Sequence, residues 1–174
     1  MAILLTCLSK SEQHLPTESD LRVSSFVQDD FLLEVTAQYP GGIIDVPLSR
    51  SENTYVQQIF HHQPLLGGPG LNRVQSASHK EYCASNSLLK GMEDYALTGI
   101  TPPPWQEEDR QKLLQEGFSL IVFHPKNSHM STEDIERYLG VKGIIHQRTK
   151  ITAFPLNSVR ATENIPSDTT VPPL

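Results

Sequence analysis

The residue types best able to do chemistry here are histidines and carboxylates set among prolines and glycines. His61 and His62 open the stretch HHQPLLGGPGLNR, which ends at Arg73. Asp45 lies inside the apolar run GIIDVPL, and His124 closes a second such run, FSLIVFHP. Adjacent histidines raise the question of a metal. Neighbouring helical residues point about 100° apart, so His61 and His62 do not converge on one ion. No HExxH or HxH pattern accompanies them, and His79, His124, His129 and His146 are scattered. Zinc needs three or four ligands in fixed geometry. We therefore expect no metal and no cofactor, with the histidines serving structural or surface roles.

A glycine cluster raises the question of a phosphate cradle. GGPG matches neither GxGxxG nor GxxxxGK[ST]. Pro69 removes one amide donor, and the strand–loop–helix context of a phosphate loop is missing. The expected role of Gly67 and Gly68 is backbone geometry, with at least one at positive φ. A hydrolytic relay is the third option. Asp45, Ser49 and His124 can be drawn as a triad, but no GxSxG elbow supports it. Carboxylates near strand carboxyl ends often face the ligand crevice of an α/β fold. The competing role is hydrogen bonding that ties strand ends to loops.

These residues need a scaffold. The chain has 174 residues, which suits one domain able to bury roughly 70% of its unfolded surface. The hydrophobic fraction of 37% is low, and the final stretch NSVRATENIPSDTTVPPL accounts for part of that. Residues 1–156 read as a single domain and 157–174 as a disordered tail rich in Pro, Ser and Thr. A net charge of −6 with scattered Lys and Arg excludes a clustered nucleic-acid footprint and disfavours an anionic membrane surface. Cys7 and Cys83 form no spaced motif, and their pairing is left open. MAILLTCL lacks a basic n-region and a cleavage site and is too short to span a bilayer. It reads as a buried strand over Ala2–Cys7.

Periodicity supplies the other elements. Phe26, Val27, Phe31, Leu32 and Val35 form one helical face, ended by Pro40 and the Gly41-Gly42 pair. Gly42–Leu48 is a strand limited by Pro47. TYVQQIFHH is a short helix, and HKEYCASNSLLKGMEDYAL a longer one weakened at Gly91. A further helix follows TPPP, with Glu107, Glu108 and Asp109 at its start and Gly117 at its end. Phe118–Pro125 is a strand. Ser131 and Asp134 form a capping box for the next helix. GIIHQR and ITAFPL make an antiparallel hairpin across RTK. This alternation predicts an α/β three-layer sandwich with a mainly parallel sheet and a C-terminal antiparallel hairpin at one edge.

Taken whole, YPGGIIDVPLSRSENTYVQQIFHHQPLLGGPGLNR resembles the C-terminal soluble region of bacterial multi-spanning membrane proteins of the GT-C glycosyltransferase-like type. The matching positions are Asp45, Val46, Pro47 and Leu48, then Tyr55 and Gln58, then His62, Pro64, Leu65, Leu66, Gly67 and Gly68, then Arg73. A weaker likeness continues through LLQEGFSLIVFHP, with its terminal His124, and STEDIERYLG to ITAFPL, covering about residues 25–156. The chain departs from the pattern after the glycine pair, where PG replaces an aromatic residue.

The resemblance implies an extracytoplasmic domain, itself non-catalytic. It would cap the membrane-embedded catalytic part or contact the glycan, acceptor or lipid-linked sugar. It places Asp45, Tyr55, Gln58, His62, Gly67, Gly68, Arg73 and His124 as ligand-binding or loop-organising candidates, and takes nucleic acid as no partner. Two alternatives stay open: a stand-alone small hydrolase or metal-dependent enzyme using Asp45, His62 and His124, and a protein-partner-binding module.

Overall fold

The computed structural model describes residues 30–48, 62–67 and 77–160. The strand expected at Ala2–Cys7, most of the helix TYVQQIFHH, and residues 161–174 of the tail lie outside them. The described residues form the α/β fold anticipated from the alternation of elements: an open five-stranded sheet flanked by helices.

The first described helix, α1 (Phe31–Gln38), stops just short of Pro40. Strand β1 (Gly42–Val46) is buried along its whole length, as its run of β-branched residues requires. It ends at Pro47, which has no N–H to donate to a ladder, and the Val46–Pro47 peptide is cis.

Leu65 and Leu66 form a short strand, β2, paired parallel to β1. The sequence pattern predicts no strand at these two residues. Two residues are too few to show any period. Their strand character comes from the neighbour: the Ile43 N–H donates to Pro64 O at 2.8 Å, just before the ladder begins.

The long helix expected over HKEYCASNSLLKGMEDYAL is two helices, α2 (Ala77–Ser85) and α3 (Ser87–Thr98). The break falls at Asn86, whose extended backbone and side-chain oxygen, accepting from Leu89 N at 3.0 Å, make it the N-cap of α3. Asn86 Nδ2 also donates to Asp109 O at 3.0 Å, and Ser87 N donates to Asp109 Oδ2 at 2.7 Å. Asp109 thereby ties α3 to α4 (Glu107–Gln115). Gly91 sits in the middle of α3, where glycine costs about 1 kcal/mol against alanine. A Cβ there would lie 1.9 Å from the Tyr138 hydroxyl oxygen, so the glycine is the condition for the close approach of Tyr138 to α3.

Strand β3 (Phe118–Phe123) follows a turn at Gly117, and helix α5 (Thr132–Leu139) carries the expected capping box between Ser131 and Asp134. The last four carbonyls of α5 all have acceptor roles. Glu136 O and Arg137 O take the N–H groups of Val141 and Gly140, Leu139 O that of Arg160, and Tyr138 O the Trp105 indole. Strands β4 (Ile144–Ile145) and β5 (Thr152–Pro155) form the antiparallel hairpin anticipated from the sequence.

The strand order is β2-β1-β3-β5-β4. β2, β1 and β3 run parallel, and β5 is antiparallel to both neighbours. On one face Ile44, Val46, Ile121, Phe123 and Phe154 pack with Leu88, Leu89 and Met92 of α3 and Ile135 of α5. Full burial of each such side chain contributes about 1.5–3 kcal/mol. The other face holds Ile43, Leu120, Val122 and Ala153, all buried. Packing continues to Arg160, past the boundary drawn at 156, because Val159 is fully buried. One apolar residue in a polar stretch leaves no periodic trace in the sequence.

Candidate functional site

In a parallel pair, residues of like register share a face, and alternate residues return to it. Asp45 pairs with Val122, and the His124 N–H donates to Val46 O at 2.9 Å just beyond the end of β3. Val122 and His124 therefore point to the same side as Asp45. The result is contact between two residues far apart in sequence: His124 Nε2 lies 2.6 Å from Asp45 Oδ1. Asp45 is 1% exposed and His124 7%. With the carboxylate ionised, the imidazole proton resides on Nε2 and donates to it. In the neutral ring Nδ1 then carries a lone pair that can accept a hydrogen bond.

The couple stands at a particular point of the sheet. β1 is followed by β2 on one side, and the chain later returns to lay β3 on the other. The sheet order reverses between β1 and β3. Ligands of open α/β sheets bind outside the strand carboxyl ends at such a reversal. Asp45 and His124 occupy that end of these two strands.

Two further groups shape it. Gly67 follows β2 with φ 128, and a Cβ there would lie 2.5 Å from Asp45 O. The expectation of a positive-φ glycine in this loop is met at Gly67, and close approach to β1 adds a second requirement. Glu93, on α3, accepts from Leu48 N through Oε2 at 2.6 Å and so holds the chain that leaves β1. Sequence reading passed over Glu93. Its signal was a carboxylate flanked at helical spacing by the buried Leu89, Met92 and Ala96. Burial against the core, helped by the Glu93 charge, pushes the Cys83 thiol upward in pKa, which leaves it a poor nucleophile.

The other candidates fall elsewhere. His62 is exposed, has φ 55, and precedes β2 at its amino end, opposite the end that holds Asp45 and His124. The sheet brings together two members of the Asp45–His62–His124 set and leaves His62 apart. Ser49, Tyr55, Gln58, Gly68, Arg73 and Cys7 lie outside the described residues. Among the described residues no three His, Cys, Asp or Glu side chains converge to hold a metal ion. No helix among them is long and apolar enough to cross a membrane.

The couple differs from a hydrolytic relay in one respect. In such a relay the carboxylate binds Nδ1 and leaves the outer nitrogen, Nε2, to the nucleophile. Here the carboxylate holds Nε2, and the remaining nitrogen is the one nearest the histidine's own backbone. Any hydrogen bond or proton exchanged with a ligand would therefore pass through Nδ1. Compared with protein-family models, curated proteins and solved structures, the chain matches none.

Proposed function

We propose that this chain is a non-catalytic recognition domain, related to the outer region of membrane glycosyltransferase-like proteins. It would contact a glycan or lipid-linked sugar while capping the membrane-embedded part. The observation carrying this reading is the buried Asp45–His124 couple at the sheet reversal. A fixed imidazole acceptor suits a hydroxyl-bearing ligand, and the segments that follow β1 and β2 in sequence contain the motif residues Tyr55, Gln58 and Arg73. The enzyme alternative built on Asp45, His62 and His124 draws less support, because His62 precedes β2 at its far end.

The test is calorimetric titration of the protein with short oligosaccharides and with hexoses linked to short prenyl phosphates. Saturable binding to at least one, weakened about tenfold or more in His124→Ala, is expected, since a lost bidentate or buried polar contact is worth that much. Binding to none of them, or equal binding by a folded His124→Ala variant, defeats the reading. Turnover of a ligand by the wild-type chain, lost in Asp45→Asn, would establish the enzyme alternative instead.

A further inference from the structure

The connection from α3 to α4, GITPPPWQ, carries the most exposed large apolar side chain among the described residues: Ile100 is 72% exposed. The segment that holds it in water is itself firmly held. Gly99 caps α3 at φ 71, and Gln106 N donates to Ser87 Oγ at 2.8 Å. Between these ends Pro102 and Trp105 are buried, and the Trp105 indole donates to Tyr138 O at 3.0 Å. Thr101, Pro103 and Pro104 are exposed.

This burial repeats every third residue. Each proline fixes its own φ, and each residue before a proline is driven to extended ψ. Thr101, Pro102 and Pro103 all precede a proline, and the three X-Pro bonds are trans. The segment is thereby confined to the polyproline II helix, which has about three residues per turn and so three faces. Pro102 and Trp105 share the face that anchors it to the domain. Ile100 and Pro103 fall on the second, Thr101 and Pro104 on the third, and both face solvent. Among the described residues no hydrogen bond reaches the carbonyls of Thr101 to Pro104.

We propose that Ile100 to Pro104 is a docking ridge for a partner domain that reads polyproline II helices through a groove of Tyr and Trp side chains. The conformation names the occupant. Aromatic walls pack on proline rings and donate to the open carbonyls, and a ridge already set in this geometry gives up little entropy on binding. The domain uses one face and leaves two for a groove to grip. Beyond Pro104, Glu108 is exposed and has no ion pair among the described residues, whereas Glu107 is engaged by Arg110. That free carboxylate suits a basic side chain on the groove's rim. The ridge acts independently of the Asp45–His124 couple.

The test is an NMR titration of the labelled full chain with an SH3, a WW and an EVH1 domain, each a reader of such helices. At least one should shift the amides of Ile100, Thr101 and Gln106 saturably, with a Kd of roughly 10–500 μM. Unlabelled decaproline should displace it. Pro103→Ala and Ile100→Ser should each weaken binding about fivefold or more. Should Pro103→Ala loosen the segment, Ile100→Ser decides, because its side chain lies mostly in water and its thermal melt should match the wild type. Glu108→Lys should weaken binding at low salt and less at high salt. No saturable shift with any of the three domains, a complex that survives decaproline, or unchanged affinity in Ile100→Ser overturns the proposal. Shifts of the same amides on concentrating the chain alone would give the ridge to a second copy and overturn it as well.

Discussion

Among the described residues, two carboxylates are nearly shut off from solvent, and they are held in opposite ways. Asp45 faces His124, itself 7% exposed and fixed at the end of β3 by a backbone hydrogen bond to β1. Glu136 faces Lys142, a side chain that is 85% exposed. In the first pair both partners lost their water when the sheet assembled, and each holds the other in place. In the second, one partner kept most of its water and can swing away at little cost. The rigid pair suits a pre-organised floor beneath a ligand, and the loose pair ties the end of α5 to the turn that follows it. Burial of a charge alone does not separate these roles. The exposure of its partner does.

Substitutions test that contrast. The largest effect should come from His124→Ala, which leaves the Asp45 carboxylate buried without its imidazole. Loss of a hydrogen bond to a buried charged group costs about 1.5–3 kcal/mol, read as a lower urea midpoint at constant slope. Next comes Gly67→Val. It forces a β-branched residue into φ 128 and sets a Cβ against Asp45 O, so a loss of about 1–3 kcal/mol is expected in thermal melts. Glu136→Gln keeps an acceptor for Gly143 N and removes a charge, and should cost about 1 kcal/mol. Lys142→Ala should change stability by less than about 0.5 kcal/mol in either direction. Equal losses in His124→Ala and Lys142→Ala would erase the difference between the two pairs. A Gly67→Val variant that melts normally would show that the approach of β2 to Asp45 relaxes freely.

The elements that read clearly from sequence are those whose signal is local. GIIDV and FSLIVF announce buried strands by composition, and Ser131 with Asp134 announces the start of α5. The hairpin of β4 and β5 was legible from its polar turn. What stayed hidden depends on a distant neighbour. Leu65 and Leu66 are a strand because β1 lies beside them. Asn86 reads as one polar residue inside a helical stretch until Asp109 fixes its cap. Of the site, Asp45 and His124 were recognisable as polar residues near strand ends, but their contact is a product of register between strands about 80 residues apart. His62 was grouped with them on residue type, and only the direction of β2 separates it from them.

The sheet order also sets a sequence of events during folding. β4 and β5 are joined by a tight turn, and β3 lies close enough in the chain to join them early. β1 must find β3 across more than seventy residues, and non-local parallel pairing closes slowly. The β3-β5-β4 half is therefore the expected nucleus, with β1 and β2 docking onto it afterwards. Pulsed hydrogen exchange should protect the amides of Ala153 and Phe154 before those of Ile43 and Ile44. Because its two residues belong to the halves that meet last, the Asp45–His124 contact completes only when β1 has docked on β3. A chain in which β1 has not yet docked on β3 presents no assembled couple to a ligand.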